Sequence, residues 1–118
     1  SILTFDKGKN YEYIKSDMPP IGIVKYFTES MVKSNTMNLK DKTFVVYTDG
    51  VTEGYLKNGE ELGAEGVQNI INSIENINPK NIVLGIEKEL NWGAEKLRDD
   101  ITCMAINIEN TELIKKTK

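Results

Sequence analysis

The chain has 118 residues, 39% hydrophobic and 28% charged, with a formal net charge of −3. That balance fits one globular domain and excludes disordered and fibrous material, and its acidity argues against a nucleic-acid binder, which carries a basic face. Histidine is absent and cysteine occurs once, which excludes Ser-His-Asp triads, Cys-His dyads, His- or Cys-rich zinc sites and an internal disulfide.

Any catalysis must therefore rest on carboxylates, Lys, Arg, Tyr, Ser or Thr. Carboxylate oxygens are hard ligands suited to Mg²⁺, Mn²⁺ or Ca²⁺. No apolar run approaches the ~20 residues of a membrane span, and no signal-peptide pattern opens the chain. With a single thiol, the expected compartment is the cytosol. The closing Lys115, Lys116 and Lys118 read as a solvated tail.

In chain order, Ile2-Leu3-Thr4-Phe5 reads as a strand running into the turn Asp6-Lys7-Gly8-Lys9-Asn10. Tyr11-Glu12-Tyr13-Ile14-Lys15 alternates as a half-buried hairpin partner does, and Tyr11, Tyr13, Tyr26 and Phe27 read as hairpin core. Met18-Pro19-Pro20-Ile21-Gly22 breaks regular structure, because proline cannot donate to a ladder. A weak alternation from Thr28 to Leu39 predicts a further strand, ended by the Lys40-Asp41-Lys42 turn. Phe44-Val45-Val46-Tyr47, aromatic and β-branched, is the strongest strand signal.

Asn58-Gly59 signals a turn. Val67, Ile70, Ile71, Ile74 and Ile77 then form one apolar helical face. Asn78-Pro79 predicts an N-cap and first-turn proline for a second helix, with Ile82, Val83, Ile86 and Leu90 on its inner face and Trp92-Gly93 at its end. Ile101 to Ile108 is apolar on both sides, which predicts a central strand. Cys103, inside it, reads as a buried structural thiol. Strands, two consecutive helices and a strand predict an α+β fold with helices on a mostly antiparallel sheet. Gly63-Ala64-Glu65-Gly66 has neither the GxGxxG spacing nor the Lys-Ser/Thr of a phosphate loop.

Two acidic clusters stand at the ends of strand signals: Thr48-Asp49-Gly50-Val51-Thr52-Glu53 and Arg98-Asp99-Asp100-Ile101-Thr102. Asp-Gly is also a common tight-turn pair, and Asp99-Asp100 also reads as a solvated loop screened by Arg98. A divalent cation gathered from both clusters is the simplest partner for such charges, since an unpaired buried carboxylate is heavily penalised.

Phe44 through Glu53, the two-helix insert and Asp99-Asp100-Ile101-Thr102 together resemble the PPM-type, metal-dependent serine/threonine phosphatases. The similarity is to their stage II sporulation protein E and sigma-regulator branch. Pro20-Ile21-Gly22 and Lys40-Asp41-Lys42 also sit where that branch carries its proline-glycine turn and its acidic turn.

The resemblance implies Asp49 and Asp99 as metal ligands and catalytic residues, with Glu53 near an additional metal. It implies supporting roles for Thr48, Gly50 and Asp100. It further implies two Mn²⁺ or Mg²⁺ ions that acidify a shared water for in-line attack on phosphorus, and a four-layer α-β-β-α sandwich. The implied substrate is a phosphoserine of an anti-sigma-factor antagonist protein.

The family's further bridging aspartate, in an Asp-x-x-Gly-His-Gly-like motif, has no counterpart before Asp49. Residues 1–118 are therefore expected to be the C-terminal portion of such a domain, without its N-terminal strands. The chain by itself is expected to be poorly active and to self-associate through exposed strand edges. Its expected setting is the cytoplasm, alone or as the cytoplasmic part of a larger membrane-attached protein. Two rivals remain: a non-catalytic phosphatase-like interaction module, and a structural domain that only binds one Ca²⁺ or Mg²⁺.

Overall fold

The computed structural model describes residues 1–15, 20, 22–90 and 100–108. Four strands, β1 (Ile2–Phe5), β2 (Tyr11–Ile14), β3 (Thr43–Tyr47) and β4 (Cys103–Asn107), form one antiparallel sheet in the order β2-β1-β3-β4. Three helices, α1 (Asp49–Thr52), α2 (Gly63–Ser73) and α3 (Pro79–Glu89), complete the α+β architecture.

Alternation along the strands makes the sheet two-faced. Leu3, Phe5, Val45 and Tyr47 are buried and share the core with Val51, Val67, Ile70, Ile71, Ile82 and Ile86 of the helices. The hairpin is tied to α2 by side chains as well as packing. The Tyr11 hydroxyl donates to Asn72 Oδ1 at 2.7 Å and Lys9 Nζ to the Asn72 carbonyl at 3.1 Å. The Tyr13 hydroxyl donates to the Ala64 carbonyl at 3.0 Å and accepts from Gln68 Nε2 at 2.7 Å. The start of α3 follows from its sequence: Asn78 Oδ1 accepts from Asn81 N at 2.8 Å, with Pro79 in the first turn.

The opposite face carries two cross-strand rows, Ile14–Ile2–Val46–Met104 and Glu12–Thr4–Phe44–Ile106. It is mainly apolar, interrupted by Glu12 and Thr4, and Met104 is 51% and Ile106 41% exposed. At its other end Ile2 and Ile14 share the lining of a cleft with Met37 and Leu39.

Three expectations are corrected. The segment from Thr28 to Leu39 is not a strand: it holds only a 3₁₀ helix, Glu29–Met31. Its weak alternation finds no neighbouring strand among the described residues, and a strand without a ladder leaves its N–H and C=O groups unpaired. Tyr26 and Phe27 are not core, being 75% and 49% exposed, whereas Tyr11 and Tyr13 do pack on the core. Finally, β4 is not central but the last strand of the described sheet. Its apolar character on both sides comes from α3 against one face and the open apolar surface on the other. Trp92-Gly93 and the lysine-rich end lie outside the described residues.

Candidate functional site

The end of β3 runs directly into α1. Thr48 is the extended N-cap, and backbone bonds from Val51 N to the Thr48 carbonyl (3.0 Å) and from Glu53 N to the Asp49 carbonyl (2.8 Å) close the short helix. Val51 is fully buried and Gly50 is buried, while Asp49 and Glu53 stand exposed. Asp49-Gly50 is thus a helix start rather than a hairpin turn. The buried Val51 side chain anchors the turn in the core, and four residues separate the two carboxylates, the spacing that places side chains on one helical face.

Because β4 is antiparallel to β3, its start lies beside the end of β3. Thr48 makes the connection. Its amide donates to the Thr102 carbonyl (3.0 Å), its hydroxyl donates to the Asp100 carbonyl (3.1 Å), and the same oxygen accepts from Thr102 N (3.0 Å). The hydroxyl's partners are therefore main-chain groups, and through them the segment bearing Asp100 is held against the residue preceding Asp49.

The structure thus brings together Thr48, Asp49, Gly50, Glu53 and Asp100 at one end of the sheet. Asp99 and Arg98 lie outside the described residues. Among the described residues, no group of three or more Asp, Glu or Cys side chains is arranged to hold a metal ion. The oxygen donors of Asp49, Glu53 and Asp100 are of the type that Mg²⁺ or Mn²⁺ takes.

Cys103, half-buried behind this end of β4, has its thiol pushed up from the ordinary value by burial. That is the opposite of what a reactive thiolate needs. Sequence reasoning missed the α1 helix, since four residues are too few for a periodicity. It also missed the pairing role of Thr48, which depends on a residue more than fifty positions away.

An antiparallel sheet backed by helices, with two acidic segments held together at one strand end, defines an α+β domain. The stage II sporulation protein E (SpoIIE) family profile matches residues 1–109. The chain belongs to the SpoIIE family, a family of phosphatases in sporulation signalling. Comparison with curated proteins and with solved structures finds no match. Among the described residues, no helix is long and apolar enough to cross a membrane.

Proposed function

We propose that this chain is the carboxylate-bearing C-terminal part of a metal-dependent phosphoserine/phosphothreonine protein phosphatase. Its substrate in this reading is an anti-sigma-factor antagonist-type protein in bacterial signalling, and its setting is the cytoplasm. The observation that carries the reading is the Thr48 hydroxyl bonded to the Asp100 carbonyl, which joins the two acidic segments that the family resemblance singles out.

Asp49 and Asp99 are the proposed ligands of Mn²⁺ or Mg²⁺, with Glu53 at a further ion. A bound divalent cation would supply charge for the phosphoryl oxygens and an acidified water. The chain's own contribution is positional: Val51 anchors the turn that carries Asp49, and Thr48 holds the second segment in register.

The test is Mn²⁺- or Mg²⁺-dependent phosphate release from a phosphoserine protein by the complete protein. Asp49→Asn should abolish turnover with an unchanged circular dichroism spectrum. Turnover that survives Asp49→Asn removes the reading. The second reading is a non-catalytic interaction module. It is selected if the complete protein has no turnover to lose.

The same reading sets the helix-free face of the sheet against a second sheet of an α-β-β-α sandwich. Its support is the exposure of Met104 and Ile106 in a mainly apolar surface. The 118-residue chain is therefore expected to self-associate, and Met104→Lys should reduce that association. Strictly monomeric light scattering of the wild-type chain across a concentration series would count against this placement.

A further inference from the structure

A cleft of about 450 Å³ opens at the same end of the sheet as Asp49, lined among others by Tyr13, Lys15, Tyr47, Thr52 and Ala64. Strand register accounts for its position. Ile2 pairs with both Ile14 and Val46, and Ser1 and Tyr47 exchange backbone bonds of 3.1 Å in each direction. The next row along is therefore Lys15–Ser1–Tyr47, with Lys15 and Tyr47 two strand spacings, about 10 Å, apart.

The polar groups of this cleft are unequally committed. The Tyr13 hydroxyl is used by Ala64 and Gln68, and the Thr52 hydroxyl donates to the Asp49 carbonyl at 3.2 Å. Tyr47 is only 3% exposed, and its hydroxyl has no hydrogen-bond partner among the described residues. Yet no buried side-chain polar atom among those residues is left unsatisfied. The hydroxyl therefore keeps its solvent contact, and the cleft is where Tyr47 meets solvent. A tyrosine phenol is a neutral donor at neutral pH. Lys15 is exposed and has no ion-pair partner among the described residues. Among the described residues, no carboxylate lines the cleft.

A lysine and a tyrosine whose hydroxyl has no partner among the described residues line one concavity, with no carboxylate among its described lining residues, and together they favour an oxyanion. A phosphate monoester, with a charge of about −1.5 to −2 and three acceptor oxygens, matches them best. The Thr52–Asp49 hydrogen bond makes the cleft wall continuous with the turn that carries the candidate metal ligand. We propose that this cleft is the phosphate-recognition subsite, in which Lys15 and Tyr47 hold the phosphoryl group of a phosphoserine or phosphothreonine side chain beside Asp49. The proposal deepens the phosphatase reading and rests on it for the identity of the ligand.

The experiment titrates the 118-residue chain, in chelator and without divalent metal, with inorganic phosphate, a phosphoserine peptide and the matched serine peptide. Binding is followed by amide chemical shifts. Shifts should concentrate at Tyr13, Lys15, Tyr47 and Thr52, and the phosphopeptide should bind at least about tenfold more tightly than the serine peptide. Tyr47→Phe removes only the hydroxyl, and it and Lys15→Ala should each weaken phosphopeptide binding about tenfold, with Lys15→Arg restoring it.

Equal affinity for both peptides, shifts centred elsewhere, or full affinity in both variants overturns the proposal. Should Tyr47→Phe unfold the chain, the exposed Lys15 variants decide. Phosphopeptide discrimination without any Asp49-dependent turnover supports the subsite and rejects the phosphatase reading. Asp49-dependent turnover without discrimination rejects the subsite alone.

Discussion

Replacing Thr48 by valine tests whether one hydroxyl holds the two acidic segments together. Valine keeps the shape and the extended backbone, and it keeps the amide bond to the Thr102 carbonyl. It removes the donor to the Asp100 carbonyl at 3.1 Å and the acceptor of Thr102 N at 3.0 Å. Each neutral hydrogen bond is worth about 0.5–1.5 kcal/mol net, and Thr48 is exposed, so water can rescue part of the loss. The expected destabilisation is about 1–2 kcal/mol, or a fall in Tm of about 4–8 °C for a domain of this size.

Two readouts localise the effect. In hydrogen exchange the Thr102 amide should lose protection while the amides of β1 keep theirs, and Thr48→Ser should restore it. In the complete protein, Thr48→Val should also weaken Mn²⁺ or Mg²⁺ dependence, with Thr48→Ser again restoring it. An unchanged Tm together with unchanged Thr102 exchange would refute the clamp.

Gly54 lies just after α1, and a methyl there would stand 2.6 Å from Leu90 Cδ2, 3.0 Å from the Gly50 carbonyl and 3.1 Å from the Val51 carbonyl. Leu90 can give way but the carbonyls cannot easily, so Gly54→Ala should destabilise by about 1–3 kcal/mol in denaturant unfolding. Alkaline pH should destabilise the fold as well. Burial raises Cys103 above its ordinary 9.0 and Tyr11 and Tyr47 above 10.0. The unfolded chain then releases these protons at lower pH than the folded one, so stability is intact below about 9 and falls as pH rises from there. Thermal unfolding between pH 7 and 10.5 checks this, and Cys103→Ala should flatten the first part of the decline.

Much of the local structure was legible because it depends on neighbours in sequence. The β1–β2 hairpin, the 44–47 strand signal, the Asn78-Pro79 helix start and the apolar face of α3 all follow from spacing and capping chemistry, and so does that of α2, although this helix ends at Ser73, before the Ile74 and Ile77 expected to extend it. The acidic segments were legible in position, since Asp49 follows β3 and Asp100 precedes β4 as the strand signals placed them. The two failed strand expectations share one cause. Whether Thr28–Leu39 forms a strand depends on a partner to complete its hydrogen bonds, and alternation alone does not supply one. Whether β4 is central depends on sheet order, and an apolar strand looks the same under a neighbour strand or under a helix.

Residue types and their order along the chain determined a histidine-free α+β domain and its resemblance to one phosphatase branch. Only the tertiary structure decided that Thr48 closes on Asp100 and Thr102, and that Lys15 shares a cleft with the unpaired Tyr47 hydroxyl. Those contacts join positions far apart in the chain. Their existence depends on strand order and register, which hydrogen bonding between distant segments sets and which no local pattern encodes.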